Sequence, residues 1–168
     1  RFPESVFVSG KYAYVTAGTS KALSIFDISD PSSPALTGLT KVVSSSGFDG
    51  PNDVQVSGKY AYVTNDNDDG GNDKALSIVD ISDPSNPTIT GEIADGDTPE
   101  DDLDGPTSVY VSGKYTYLTS RDSASLTIID TSDPSNPTQS GVVTGTPISS
   151  PESVQVSGKY AYVVDNTG

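Results

Sequence analysis

The sequence predicts an all-β fold made of four-stranded antiparallel sheets, three of them complete and a fourth half complete. Three observations predict it. A segment that opens on proline and runs into Ser-Gly-Lys-Tyr recurs four times, at Pro3, Pro51, Pro106 and Pro151. Within each copy, short apolar runs alternate with polar residues, the period of a strand. No stretch carries the apolar spacing of about 3.6 residues that marks an amphipathic helix.

Each copy divides into strands with turn chemistry between them. In the first strand Val6 and Val8 alternate with Ser5 and Phe7. Ser9-Gly10 follows, and glycine supplies the positive φ that a tight hairpin demands. The second strand, residues 12–15, is aromatic and β-branched, as strands prefer. Its Tyr12 and Tyr14 point to one face and Ala13 and Val15 to the other. The third strand, residues 23–28, is apolar on both faces and so is expected to be covered on both. Residues 29–34 form a turn, in which Asp30 accepts local backbone hydrogen bonds and Pro31 presets φ. Pro34 leads a fourth strand, residues 35–43, polar enough for an outer position, where a missing N–H does no harm.

The repeat sets the organisation of the chain. PNDVQVSGKYAYV, PTSVYVSGKYTYL and PESVQVSGKYAYV open the later copies, and ALSIFDISDPSSP, ALSIVDISDPSNP and SLTIIDTSDPSNP continue the first three. The full units measure 48, 55 and 45 residues between successive prolines, and 18 residues remain from Pro151. The expected units are 1–50, 51–105, 106–150 and 151–168, the last holding one hairpin. Four short strands per unit, stacked in series and covered on both faces, is the logic of a β-propeller blade. The expectation is thus a propeller-type array of three full blades plus a half blade. Closed propellers use about four to eight blades. Three ways of completing the array follow: a longer chain of six to eight blades, copies docked head to tail into a fibre, or a domain-swapped oligomer.

Composition narrows function. Among 168 residues, 23 acids face 9 basic residues, a net charge of −14. Nucleic acids and anionic membranes need basic patches, so neither is an expected partner. Apolar runs are too short to insert in a membrane as helices. The chain has no Cys, Met, Trp or His. It therefore lacks a disulfide framework, thiol chemistry, the usual neutral-pH base and the commonest metal ligand. Asp27, Asp80 and Asp130 recur at one repeat position, which suits a structural role in the following turn better than catalysis. No nucleophile elbow or phosphate loop is present, and the expected function is non-enzymatic. Lys11, Lys59, Lys114 and Lys159 mark the hairpin turns, and the Tyr pairs at 12/14, 60/62, 115/117 and 160/162 are expected to pack between blades. Asn86 and Asn136 precede proline and are not N-glycosylation sites.

The motifs V-x-V-S-G-K-Y-A-Y-V and A-L-S-I-V-D-I-S-D-P-S-N-P, clearest at 54–63 and 75–87, resemble the LVIVD repeat. That family comprises β-propeller repeats of secreted and cell-surface proteins of bacteria and archaea. The resemblance implies a propeller and a place outside the cytoplasm, at the cell surface or secreted. It carries no shared catalytic residues, and a fold does not fix a function.

Two loops depart from the repeat. The hairpin glycine and the third-strand aspartate lie 17 positions apart in the first unit (Gly10, Asp27) and third (Gly113, Asp130), but 22 in the second (Gly58, Asp80). The extra residues make N-D-N-D-D-G-G-N-D, which resembles the calcium hairpin loop of integrin-type propellers. The implied ligands are Asn65, Asn67, Asp69 and Asp73 with the Gly71 carbonyl; oxygen-rich alternation around a glycine turn suits Ca²⁺. Asn at the first position removes a charge and weakens the expected affinity, and Leu76 at the twelfth excludes an EF-hand. The other reading is a solvated acidic hairpin tip. The second departure, residues 95–105, holds six acids in eleven residues: a cation site without diagnostic spacing, or a mobile acidic segment. The expected partners are proteins, with self-association through the open half blade foremost.

Overall fold

The computed structural model describes residues 2–41, 50–66, 74–97 and 102–166. Its strands form four separate antiparallel sheets in simple meander order. The first sheet holds β1 (Pro3–Ser9), β2 (Tyr12–Ala17), β3 (Ala22–Asp27) and β4 (Ala35–Lys41). The second holds β5 (Pro51–Ser57), β6 (Tyr60–Asn65), β7 (Lys74–Asp80) and β8 (Thr88–Ala94). The third holds β9 (Pro106–Ser112), β10 (Tyr115–Ser120), β11 (Ser125–Asp130) and β12 (Thr138–Thr144), and the last pairs only β13 (Pro151–Ser157) with β14 (Tyr160–Asp165). The expected array of three blades and a half blade is what the chain forms. Strand ends differ from the sequence reading by up to two residues: β2 continues through Thr16 and Ala17, and of the expected fourth strand residues 42–43 lie outside the described residues.

The turns are made as their residues dictate. Gly10, Gly58, Gly113 and Gly158 close the first hairpin of each sheet with φ of +58°, +60°, +63° and +61°, a conformation that side chains resist. Between third and fourth strands, Asp30, Asp83 and Asp133 each fold an Asx turn. Asp30 Oδ1 accepts the Ser32 N–H at 2.9 Å, and the Asp30 carbonyl accepts from Ser33 N at 3.0 Å.

The innermost strands β1, β5, β9 and β13 lie side by side in succession, so the sheets stack like blades about an axis with the fourth strands outermost. Each sheet turns its Tyr-x-Tyr face towards the next. Tyr14, Leu23 and Ile25 of the first sheet pack on Val54, Ala61, Val63 and Val79 of the second. Tyr62, Leu76 and Ile78 pack on Val109, Leu118 and Ile129 of the third. Polar threads also cross between sheets, from the first to the second and from the third to the half blade. Thr16 Oγ1 donates to the Asn52 carbonyl at 3.0 Å, and Thr107 Oγ1 donates to the Pro151 carbonyl at 2.8 Å. The fourth strands carry a bulge at Thr37, Thr90 and Ser140, beside a glycine. A methyl group built on Gly38 would stand 1.9 Å from the Pro84 carbonyl oxygen, and one on Gly91 2.0 Å from that of Pro134. The Asp83-Pro84 and Asp133-Pro134 turns thus seat on the fourth strand of the sheet before them, and only glycine leaves the room.

Candidate binding face

The meander sends its loops to two ends. One end carries the first hairpins and the Asp-Pro turns. There Lys11 Nζ meets Asp27 Oδ2 at 2.9 Å, Lys59 meets Asp80 at 3.1 Å and Lys114 meets Asp130 at 2.7 Å. Each ammonium also lies over the following tyrosine, 4.6–5.0 Å from the ring centre. The other carboxylate oxygen accepts the N–H two residues on, from Ser29, Ser82 and Ser132. These bonds hold the three carboxyls well below their ordinary range: Ser29 and Lys11 act on Asp27, Ser82 and Lys59 on Asp80, and Lys114 and Ser132 on Asp130. The recurring acids are turn-builders, and the three lysines, though exposed, each have a carboxylate partner. Lys159 lies over Tyr160 at 5.3 Å, and no described carboxylate pairs with it.

The opposite end gathers the second-to-third-strand loops and the connections between sheets. Both departures from the repeat emerge here, and this is the candidate binding face. Of the predicted calcium ligands, Asn65 ends β6 and is 1% exposed. Its Nδ2 donates to Ser77 Oγ at 3.0 Å, while its buried Oδ1 has no hydrogen-bond partner among the described residues. Asn67, Asp69, Gly71 and Asp73 lie outside the described residues. Among the described residues no cluster of three or more acids is placed to hold a metal. The second departure is anchored where it is described. Leu103 joins the core between second and third sheets, and Asp95 Oδ1 accepts the Leu103 N–H at 2.6 Å. The Asp102 carbonyl accepts from Ser125 Oγ at 2.6 Å, and its carboxylate from Gln139 Nε2 at 2.6 Å.

Nearer the axis, Glu4, Gly18, Gly50, Asn52, Asp66 and Arg121 line a polar cleft of about 410 Å³. Glu152 holds the Arg121 guanidinium by two bonds, 3.2 and 2.9 Å. Beside it Asp53 accepts from Ser5, Val54, Ser108 and Val109, tying three sheets together. Sequence reasoning singled out neither Asp53 nor Arg121. The signal for Asp53 was present, because Ser5, Ser108 and Ser153 occupy its position in the other copies.

The two end faces of the stack differ from the internal ones. On the first sheet, Pro3, Val15, Ala17, Ala22, Phe26 and Leu36 are among the residues lining an apolar groove of about 410 Å³. On the half blade, Tyr160 and Tyr162 are 58% and 59% exposed, against 4% for Tyr14 and 5% for Tyr62.

The family model of the LVIVD repeat matches residues 3–41, 51–95, 106–145 and 150–168. The chain belongs to the LVIVD repeat family. This LVIVD chain is similar in fold to solved structures at low identity. A candidate 6-phosphogluconolactonase from Bacteroides uniformis matches with a TM-score of 0.76 and 18% identity, over 97% of this chain and 47% of its own. The periplasmic gluconolactonase of Pseudomonas aeruginosa matches at 0.69 and 15%, over 96% and 42%. The computationally designed Ika4 protein matches at 0.70 and 11%, over 98% and 86%. The LVIVD chain thus spans less than half the length of either natural neighbour, and the likeness is one of fold. No curated protein sequence matches it.

Proposed function

We propose that this LVIVD chain is a non-enzymatic structural and interaction propeller acting outside the cell, whose blade series continues by self-association through its end faces. One observation carries the reading. The exposed end faces are the two halves of the interface repeated inside the stack. Val6 is 62% exposed where its counterpart Val54 is 3%, and Val8 is 57% exposed where Val56 is half-buried. At the far end, the exposed Tyr162 occupies the position that Tyr14 and Tyr62 bury, and the exposed Tyr160 the one that Tyr12 and Tyr60 half-bury. Faces of this kind, not closing on themselves, generate head-to-tail fibres. Light scattering after size exclusion, with negative-stain microscopy, tests this. The expected result is concentration-dependent growth in mass with elongated particles. A monomer at every concentration would refute it.

A second reading has the chain as part of a closed propeller of six to eight blades that binds a ligand through its loop face. It is favoured by the polar cleft and the two acidic departures sharing that face. In this reading the loop at 65–73 takes Ca²⁺ weakly. Calorimetric titration of CaCl₂ checks it: Asn65→Asp should tighten binding, and absence of heat at millimolar calcium in both proteins removes it.

A further inference from the structure

We propose that Asp102 and Ser120 hold a monovalent hard cation, sodium or potassium, buried between the second and third sheets. The site lies inside the stack, away from both end faces. It fastens the acidic segment of the candidate binding face to the blades beneath it.

The first observation is a pair of buried atoms. Asp102 is 1% exposed and Ser120 is fully buried. Asp102 Oδ1 and Ser120 Oγ have no hydrogen-bond partner among the described residues. A buried polar atom left unpaired costs free energy, and native folds satisfy such atoms with an ion or an ordered water.

The second is charge. Asp102 Oδ2 accepts from the neutral Gln139 amide at 2.6 Å. Among the described residues no lysine or arginine pairs with Asp102. A carboxylate taken out of water needs a countercharge, and a bound cation brings one.

The third is that the acid is held inside. The Asp102 carbonyl accepts from Ser125 Oγ at 2.6 Å and from Thr127 Oγ1 at 3.1 Å. Asp95 Oδ1 holds the Leu103 N–H, and Ser123 Oγ accepts the Asp104 N–H at 2.7 Å. With Leu103 locked in the core between the two sheets, the carboxylate cannot swing out to water without breaking these contacts.

The fourth is the wall that the acid meets. Ser120 stands directly opposite Ser125 in the pairing of β10 with β11. Side chains so opposed lie about 4.5–5.5 Å apart at Cβ, which sets the Ser120 hydroxyl beside the Asp102 contact. The first sheet has Ala17 opposite Ala22 at the same two positions. The third sheet thus carries hydroxyls, where the first carries methyl groups, at the place where the acid enters.

These donors are all oxygen, which suits a hard cation rather than a soft metal. One carboxylate balances one positive charge. A divalent ion would leave excess charge in the core, and among the described residues no group of three acids is placed to take one.

The test is thermal melting of the 168-residue protein in NaCl, KCl and choline chloride, each at about 0.15 M so that ionic strength is equal. Choline is too large for the site. The melting temperature should be about 2–4 °C higher in the sodium or the potassium salt than in choline chloride, and the larger rise names the ion. Asp102→Asn keeps the shape and an acceptor for Gln139 but removes the charge, so it should melt at one temperature in all three salts. Ser120→Ala removes one ligand oxygen and should shrink the difference; it decides the matter alone if Asp102→Asn does not fold. A parent protein that melts alike in all three salts overturns the proposal, as does either variant that folds and keeps the parent's full difference. A gain with CaCl₂ alone that Asp69→Ala abolishes belongs to the loop at 65–73 and overturns it too.

Discussion

Asp53 bonds to Ser108 across a sheet boundary: Ser108 Oγ donates to Asp53 Oδ2 at 3.1 Å. The other oxygen of the same carboxylate accepts from Ser5 Oγ of the first sheet at 2.8 Å. One side chain of the second sheet therefore fastens both neighbours beside the axis. The Val54 and Val109 N–H groups complete its shell at 2.9 and 3.0 Å.

Hydrogen bonds to a charged acceptor contribute more than neutral ones, and a lost acceptor strands its donors. Asp53→Ala should lower the unfolding free energy by about 2–3 kcal/mol. Asp53→Ser, which restores the residue of the other copies, should cost less. Urea unfolding followed by circular dichroism gives both values; equal costs would show that the carboxylate bridges nothing.

The glycines of the fourth strands give a sharper contrast. Gly91 and Gly141 occupy the same repeat position, one under the Pro134 carbonyl and one facing open space. Overpacking a fitted interface costs about 1–3 kcal/mol, so Gly91→Ala should destabilise by that amount. Gly141→Ala should stay within about 0.5 kcal/mol, as at ordinary surface sites. Similar losses at both positions would mean that the turn does not set the requirement.

Much of this was legible in the sequence because each blade is written in local chemistry. The Ser-Gly turn, the Tyr-x-Tyr alternation and the Asp-Pro turn each specify a strand or a reversal within a few residues, and four copies repeat the message. The third-strand aspartates could be assigned to their turns for the same reason. Asp53 and the Arg121–Glu152 pair were not assigned, because their partners lie on other sheets, 31 to 56 positions away. The anchoring of residues 102–103 was hidden too, since six neighbouring acids read as a solvated segment while the one apolar residue, Leu103, decides the packing. The role of Gly38 and Gly91 needs the next blade in place, which a single copy of the repeat does not reveal.

Stability should be flat in the mid-pH range and fall at both extremes. No His or Cys side chain titrates between about pH 5 and 9. Asp80 is lowered from an ordinary value of 3.8 to about 2, chiefly by Ser82, and Asp27 and Asp130 shift the same way. A lowered carboxyl contributes stability above its unfolded value, and that contribution is lost as pH falls through the folded value. The loss should begin near pH 4 and continue to about pH 2 and below. At the alkaline end, hydrogen bonds to the aspartates raise Lys11, Lys59 and Lys114, and burial raises Tyr14 and Tyr62. Raised groups contribute below their unfolded values, so stability declines again above about pH 10. Thermal melting across pH checks both flanks; a step between pH 6 and 8 would contradict this account.

Tyr62 and Tyr162 test whether the end face is an interface at all. They share one repeat position, yet Tyr62 is 5% exposed inside the stack and Tyr162 is 59% exposed at its end. Removing a buried aromatic ring costs about 3–5 kcal/mol, so Tyr62→Ala should come close to unfolding a small all-β chain. In dilute solution Tyr162→Ala should change stability by less than about 0.5 kcal/mol. At concentrations where copies associate, the same substitution should weaken assembly, since the ring then takes the place Tyr62 holds between blades. Unfolding curves at low concentration and light scattering at high concentration separate the two effects. A Tyr162→Ala chain that assembles as readily as the parent would mean that this face receives no second copy.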